Sequence, residues 1–290
     1  MFFLYLLANA FLQLDGCREF QRSIKRNQPF KLGLYYSYWL KKKIFAINNF
    51  LFAAYNKGVE EITITQNGFN GLYMSYLYGK VKERFSFLPA LCELAKEADG
   101  QKIALKTERG YCPYVRKFTE EHIADVIAIG YKYAYFEKKL PLPILTPMQK
   151  RTILTALVAA DYKDDRDYVL RKVRGLESYC IDGLFHFRLQ GLKKRWDEII
   201  EYIPVNMSEV GIDSFIGFLI EDGEGKVFLK NGRVYDENYR QSSRSLLTGT
   251  EWTIGEVLLS GAEQVYCFGE MEEKVKGFLK KYYGEKVFFC

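Results

Sequence analysis

Three side chains with acid, base and cation chemistry stand close together in this sequence: Asp182, His186 and Arg188. A carboxylate and an imidazole within hydrogen-bonding reach can exchange a proton, and a guanidinium can hold an anion. On a continuous helix Asp182 and His186 can touch, because residues four apart lie on neighbouring turns. Arg188 lies about 240° further round the helix from Asp182 and points elsewhere. We therefore predict a structural role, with Arg188 bonding carbonyl groups or an acid of a neighbouring unit.

Few other residues favour catalytic or metal chemistry. The only histidines are His122 and His186, too few for a histidine-based metal centre or a catalytic triad. The acidic run 161–167 lacks the glycine and the closing glutamate of a calcium loop. The stretch 223–226, GEGK, lies between expected strands and lacks the rest of a phosphate-binding loop. We expect no catalytic residue, no metal ion and no cofactor.

The cysteines indicate a reducing compartment. They are widely scattered and form no Cys-x-x-Cys pair, which argues against both a zinc site and a secreted disulfide framework. Their positions are Cys17, Cys92, Cys112, Cys180, Cys267 and Cys290. We predict free thiols in a cytoplasmic protein. No window reaches the roughly 18 consecutive apolar residues of a transmembrane helix, and the apolar start, Met1–Leu14, is interpreted as a buried strand or helix.

The excess positive charge is concentrated in one segment. The chain has a formal charge of +6, and residues 20–59 contain eight lysines and arginines and no acid. Aromatic residues are interleaved with them, a mixture that nucleic-acid-binding proteins use for phosphate contact and base stacking. However, apolar residues fall at helical spacing from Leu40 to Ala54, and Lys41, Lys42 and Lys43 fan over about 200° of that helix. Both a core helix and a nucleic-acid-binding surface remain open.

The acid, imidazole and guanidinium lie in the longest helical pattern of the chain, Leu176–Ile203. Apolar residues recur there every three or four positions, which indicates one helix face directed at a core. Gly183 and Gly191 each cost about 1 kcal/mol relative to alanine in a helix interior. They therefore indicate close packing or a break.

Two stretches carry a resemblance to a known family. The first is 181–189, IDGLFHFRL, followed by a long amphipathic helix, and the second is 258–290, LLSGAEQVYCFGEMEEKVKGFLKKYYGEKVFFC. Together they bracket 176–290, and this part of the chain resembles the YtxC-like family of sporulation proteins, with looser similarity from about Thr119. The resemblance implies a cytoplasmic protein of endospore-forming bacteria. It supplies no active site, because the family's molecular activity is not established.

Local patterns predict the remaining elements of the first two thirds. Strands are expected at 58–65, 78–87 and 102–106, with a short helix at 88–98 that begins at Pro89. Thr119 is expected to cap a helix. Three prolines between 141 and 147 mark the best hinge, after which Thr146-Pro147 starts a new helix.

The last part of the chain reads as a small sheet with helices. The stretch 214–238 predicts an antiparallel meander of three strands with turns at 221–225 and at Asn231-Gly232. A helix at 250–260 and a β-α-β unit over 261–290 follow. The stretches 58–79 and 261–284 show a similar order of strand, helix and glycine, interpreted as one common connection used twice.

We predict an α+β (mixed α/β) protein with an N-terminal mixed unit (1–113), a helical middle (114–203) and a C-terminal sheet unit (204–290) that ends in β-α-β. The leading function is a sporulation-associated, non-enzymatic cytoplasmic protein that binds another macromolecule, most readily another protein, without entering a membrane. The alternative is a nucleic-acid-binding protein that uses segment 20–59. The predicted partner-binding residues are Lys41, Lys42, Lys43 and Arg188.

Overall fold

The computed structural model describes residues 58–67, 71–88, 90–143, 145–204 and 209–290. The chain divides after Gly58, and the described elements belong to the unit Val59–Cys290. Lys41, Lys42 and Lys43 lie outside the described residues, as do the apolar start of the chain and nearly all of segment 20–59. The unit has the predicted α+β fold, with two mixed sheets of four strands each.

The first sheet, sheet A, has the strand order β2-β3-β1-β4. Strand β3 (Gly100–Glu108) pairs antiparallel with β2 (Ala90–Lys96) on one side and with β1 (Val59–Asn67) on the other. The short β4 (Ser178–Cys180) pairs in parallel with the free side of β1. Buried and more exposed residues alternate in β1 and β3, as expected for strands with one face on a core. The strands predicted at 58–65 and 102–106 are confirmed.

Two expectations between β1 and β3 are wrong. The predicted strand 78–87 lies largely in helix α1 (Leu72–Phe85), and the predicted helix 88–98 contains β2. Apolar residues of α1 recur at helical spacing, so tertiary packing overrides the apparent alternation of its second half. Gly79 lies inside α1, and β1 pairs with β3, so this segment does not repeat the closing β-α-β unit. The buried residues of α1 are Met74, Tyr76, Leu77, Val81 and Phe85.

Residues Cys112–Lys139 form a nearly continuous helical rod. It consists of α2 (Cys112–Asp125), a π-helix (Val126–Tyr131) and α3 (Lys132–Lys139). Contrary to the prediction, Thr119 does not cap a helix. Its side chain is buried in mid-helix, and its hydroxyl donates to the Val115 carbonyl at 2.8 Å. Prolines after the rod end the helical conformation, as predicted.

Helix α4 (Pro147–Ala160) begins as the sequence predicts. The Thr146 hydroxyl accepts from the Gln149 N–H at 3.3 Å, and the Gln149 side chain accepts from the Thr146 N–H at 3.0 Å, which forms a capping box. Leu154 packs in the core of sheet A, whereas Ala156 packs in the core of the second sheet. Helix α4 thus contributes to both cores. The boundaries at 113 and 203 stay a prediction.

The predicted helix Leu176–Ile203 is interrupted. It contains β4, a helical turn (Ile181–Gly183), a π-helix (Leu184–Arg188) and α6 (Gln190–Glu201), with a departure from helical geometry at Leu189. Gly191 permits close packing, because a Cβ there would lie 2.9 Å from the Tyr168 hydroxyl. Gly191 therefore fits the explanation by close packing, whereas the break lies at Leu189 and not at either glycine.

Two ion pairs, each with a buried carboxylate, hold α5 (Tyr162–Val173) against the rod. Lys132 is fully buried, and its Nζ lies 2.8 Å from Asp165 Oδ2. At the other end of the π-helix, Arg166 Nε lies 2.7 Å from Asp125 Oδ1. Trp196 of α6 donates its indole N–H to Asp165 at 2.8 Å. One carboxylate therefore joins three helices.

The second sheet, sheet B, has the strand order β6-β5-β7-β8. Strands β5 (Lys226–Lys230) and β6 (Arg233–Tyr235) form a hairpin whose turn residues, Asn231 and Gly232, both have positive φ, as predicted for Asn-Gly. The expected first strand of the meander is instead helix α7 (Glu209–Glu221). A short run of apolar and small residues suits either structure, and packing decides between them.

The closing β-α-β unit is confirmed. Helix α8 (Thr253–Ser260) leads into β7 (Gln264–Phe268), α9 (Glu273–Tyr283) and β8 (Val287–Phe289), and β7 pairs in parallel with both β5 and β8. The Cys290 N–H donates to the Cys267 carbonyl at 2.9 Å, so the two cysteines are neighbours.

Replacing Lys132 by Met should lower the free energy of unfolding by about 2 kcal/mol, because the buried Asp165 loses its closest cation and keeps only Arg195, at 3.4 Å. Urea denaturation measures this change. The matched control is Lys138→Met, an exposed position of the same helix α3, where we expect a change within about 0.5 kcal/mol. Equal effects of the two substitutions would show that the buried pair adds nothing.

Cys267 and Cys290 should remain unbridged despite their proximity. Cys267 lies opposite Phe289 in the parallel pair, and Cys290 follows Phe289, so the two thiols lie on opposite faces of the sheet. Burial raises the pKa of Cys267 to about 11, which keeps its thiol protonated and unreactive. Alkylation and mass measurement of protein from fresh cytosolic extract, without reductant, should find both thiols free. A quantitative disulfide between them contradicts this expectation.

Candidate binding cleft

An open cleft of about 1320 Å³ is bordered by α1 and α2 and by the residues around β5 and β6. Small-molecule sites enclose roughly 300–1,000 Å³, so this cleft exceeds their usual size. Its far wall includes the loop that follows β6, residues 236–243, here called the β6 loop. Basic, acidic and aromatic side chains all contribute to its lining.

Four basic residues of the cleft form neither an ion pair nor a side-chain hydrogen bond with any residue in the described ranges, and they are called the cleft cations. Of the six acids that line the cleft, Asp125 pairs with Arg166, Glu224 pairs with Lys163, and Asp236 and Glu237 accept backbone N–H groups, whereas Glu83 and Glu121 form no ion pair within the described ranges. Seven lysines and arginines thus line the cleft together with six acids, and one of those acids is already neutralised by Lys163 from outside the lining. The cleft cations are Lys80, Lys117, Lys226 and Arg240.

Asp125 is the buried carboxylate of the cleft. It accepts from the Tyr162 hydroxyl at 2.6 Å and from Arg166 Nε at 2.7 Å. Burial acts to raise the pKa of Asp125, but the positive charges of Arg244 and Arg166 outweigh it and hold the pKa below its ordinary value. The Arg244 guanidinium lies 4.9 Å from the Tyr162 ring centroid. Asp125 thus draws α2, α5 and the 3-10 segment Arg244–Thr248 together.

His122 has a structural position at the same cleft. Its Nδ1 lies 2.9 Å from the Phe118 carbonyl oxygen, which assigns the proton to Nδ1, and its ring lies 4.2 Å from the Phe118 ring. Burial lowers the pKa of His122, although nearby Asp125 acts in the opposite direction. The imidazole is therefore neutral at neutral pH and adds no positive charge to the cleft.

A column of aromatic rings runs from the cleft across the open face of sheet B. Tyr239 of the β6 loop stacks on Phe228, with ring centroids 4.8 Å apart and planes 13° apart. Phe228 lies 5.7 Å from Tyr266, which stacks on Phe288 at 4.7 Å. Strand pairing sets Phe228 opposite Tyr266 and Tyr266 opposite Phe288. Because strands lie about 4.8 Å apart, in-register aromatic residues on one face stack. These four residues are called the aromatic column.

Asp182, His186 and Arg188 have different surroundings in the structure. Asp182 accepts the Asn67 N–H and the Tyr131 hydroxyl, both at 2.7 Å, which confirms its structural role. His186 and Arg188 are exposed in the π-helix Leu184–Arg188. Arg188 bonds no carbonyl and no acid among the residues that the structure places, so the predicted bond is not formed there. Its partner-binding role stays a prediction.

The residues of the cleft were missed by sequence reasoning. The cleft cations come from α1, α2, β5 and the β6 loop, and no spacing in the sequence links them. One local signal existed: Asp236 precedes Asn238 and Arg240 in the pattern of an Asx turn, which holds the β6 loop.

No protein-family model, curated protein or solved structure matches this chain. Within the described ranges, no group of three or more histidine, cysteine or acidic residues could hold a metal ion. None of the helices in these ranges is long and apolar enough to cross a membrane.

Replacing Asp125 by Asn should lower the free energy of unfolding by about 3 kcal/mol at neutral pH, because Arg166 loses its buried counter-charge. Since the pKa of Asp125 is lowered in the folded protein, its stabilisation is complete above the ordinary aspartate pKa of about 3.9 and disappears as the pH falls through the lower folded value. Urea denaturation at several pH values should show a constant difference from pH 7 to about 5 that shrinks below about 4.

The control for this experiment is Asp164→Asn, an exposed acid in the first turn of α5, where we expect a change within about 0.5 kcal/mol. A difference between Asp125→Asn and the natural protein that did not depend on pH would contradict the assignment to an ionised Asp125.

Proposed function

We propose that this chain is a non-enzymatic binding protein that holds an anionic segment of another macromolecule in its cleft. The observation that carries this proposal is the set of cleft cations, which form no ion pair among the described residues, whereas four of the six acids of the cleft are held by other groups. Positive groups gathered along a concave surface focus the electrostatic potential and attract an anionic partner.

The dimensions of the cleft favour a polymer segment over a small molecule. Its volume of about 1320 Å³ lies above the usual range for small ligands, and its cations come from four separate elements. A chain with charges at regular intervals can meet several such cations together, whereas a small anion meets one or two.

The ionisable groups within the cleft support a binding role rather than a catalytic one. Asp125 is occupied by Arg166 and Tyr162, and the proton on His122 Nδ1 is directed at the Phe118 carbonyl. These contacts join α2 to α5 and stabilise α2 itself. The groups therefore serve to shape the cleft.

The biological setting that we propose is sporulation in the cytoplasm of an endospore-forming bacterium. It is supported by the sequence motifs at 181–189 and 258–290 and by scattered cysteines outside any disulfide framework. Arg188 is a proposed further contact with a protein partner, since it is exposed beside Phe187, whose side chain is 83% exposed.

A second candidate function is nucleic-acid binding through segment 20–59, supported by its eight basic residues without an acid. Lys41, Lys42 and Lys43 are its proposed contacts. Replacing these three by Gln should make the salt dependence of oligonucleotide binding less steep if this segment holds the phosphates.

Replacing Lys80, Lys117 and Arg240 together by Gln tests the cleft directly. Binding of the full-length chain to labelled polyglutamate and to a labelled oligothymidine of about 20 nucleotides is measured by fluorescence anisotropy over a salt series. For a single strand each lost phosphate contact reduces the slope of log affinity against log salt by about 0.7, so we expect a slope about 2 less steep.

The matched control is the triple substitution Lys138→Gln, Arg174→Gln and Lys274→Gln, which removes the same charge from exposed positions outside the cleft. We expect its slope to equal that of the natural protein. Equal flattening in both triple variants would show a nonspecific charge effect, and the absence of binding to either polyanion would refute the proposed function.

A further inference from the structure

Tyr239 occupies an unusual place at the mouth of the cleft. Its φ of +56° lies in the left-handed region that aromatic residues seldom adopt. Asp236 holds this conformation: its carbonyl accepts the Tyr239 N–H, and its side chain accepts the N–H groups of Asn238 and Arg240, each at 2.9 Å. The side chain of Tyr239 is nevertheless 73% exposed, so burial does not explain it.

The aromatic column supports one face of Tyr239 and leaves the other available. Within the described residues, the only aromatic ring in contact with Tyr239 is that of Phe228. Phe228 is in turn packed against Tyr266, and Tyr266 against Phe288. The column thus holds the Tyr239 ring in a defined orientation, and a flat group from a ligand could stack on its outer face as the next member.

Positive groups border the same cleft as this ring. Arg240 follows Tyr239 directly in the β6 loop, and Lys226 Nζ lies 6.0 Å from the centroid of the Phe228 ring. Lys80 and Lys117 lie on the opposite border of the cleft, on α1 and α2. An aromatic face with cations around it is the combination with which proteins hold single-stranded nucleic acids.

The same combination is poorly suited to an acidic peptide. The face of an aromatic ring carries negative potential, so a carboxylate gains nothing by lying against it. A nucleobase is flat, uncharged and polarisable, and stacks on such a face whatever its sequence. The exposed ring therefore distinguishes between two polyanions that the cations alone would accept equally.

We propose that the anionic segment held in the cleft is single-stranded nucleic acid, with one base stacked on the outer face of Tyr239 and the neighbouring phosphates on the cleft cations. This inference rests on the proposed function and names its ligand class. It involves residues 226–240 and the opposite helices, and it is independent of segment 20–59.

The first test compares Tyr239→Leu with Tyr239→Phe in the full-length chain. Tyr239→Leu removes the ring, and we expect oligothymidine affinity to fall about tenfold, within the range known for loss of one stacked base. Tyr239→Phe keeps the ring and should bind within twofold of the natural protein, roughly the scale of a minor contact. Neither change removes a charge, so the salt slope should stay constant and polyglutamate binding should not change.

Two further variants control for backbone strain and for the loss of an exposed tyrosine elsewhere. Tyr239→Asn also removes the ring but suits the left-handed backbone, so a loss shared with Tyr239→Leu cannot come from strain. Tyr202→Leu removes an exposed tyrosine outside the cleft, 86% exposed, and should leave affinity unchanged.

Binding of an oligonucleotide of equal length with abasic sites, measured for both proteins, gives a double-mutant cycle between the base and the Tyr239 ring. The natural protein should lose about tenfold in affinity for it, whereas Tyr239→Leu should lose little, because the stacking partner is already absent. If Tyr239→Leu binds oligothymidine as the natural protein does while the cleft-cation variant loses binding, the proposed function stands and this inference fails. Tighter binding of polyglutamate than of oligothymidine at the same salt also overturns it in favour of an acidic protein segment.

Discussion

Two ion pairs of opposite polarity, each with a buried carboxylate, fix α5 against the helical rod. Asp125 and Lys132 flank the π-helix of the rod, and they meet Arg166 and Asp165, which are adjacent in α5. Because these neighbours carry opposite charges, reversing their partners would place like charges together away from water. An unpaired buried charge costs several kcal/mol, so one register of α5 is strongly favoured over the others. Packing of apolar residues alone would discriminate less between registers.

The cleft inherits its geometry from the same pairs. Asp125 links the rod to α5 through Arg166, and its charge also attracts Arg244, the first residue after the β6 loop. Glu256 of α8 holds that segment from the other side, since it accepts the N–H groups of Arg244 and Ser245 at 3.0 and 2.7 Å. A loop anchored immediately after its last residue can present side chains to a ligand at little entropic cost. Asp125 therefore links the helical wall of the cleft to the end of the β6 loop on the opposite wall.

The sequence predicted correctly those elements that a few adjacent residues determine. The Thr146 capping box, the Asn231-Gly232 turn and the closing β-α-β unit depend on a few adjacent residues. The strands predicted at 78–87 and 214–220 were wrong because short apolar runs suit a strand or a helix, and long-range packing decides which of the two forms. The cleft was not predicted, for a related reason. Its cations come from separate elements, and the aromatic column requires the parallel pairing of β5 with β7, which the sequence pattern did not reveal.

The parallel edge of sheet A has a consequence for the order of folding. β1, β3 and β2 pair through nearby residues, but β4 must return to β1 from far along the chain, as the 115-residue separation of Asn67 and Asp182 shows. Contacts of such long range form slowly because closing the intervening chain costs entropy. During synthesis, the antiparallel strands leave the ribosome well before β4. We expect the open side of β1 to be exposed in that interval, when another chain could pair with it and start aggregation.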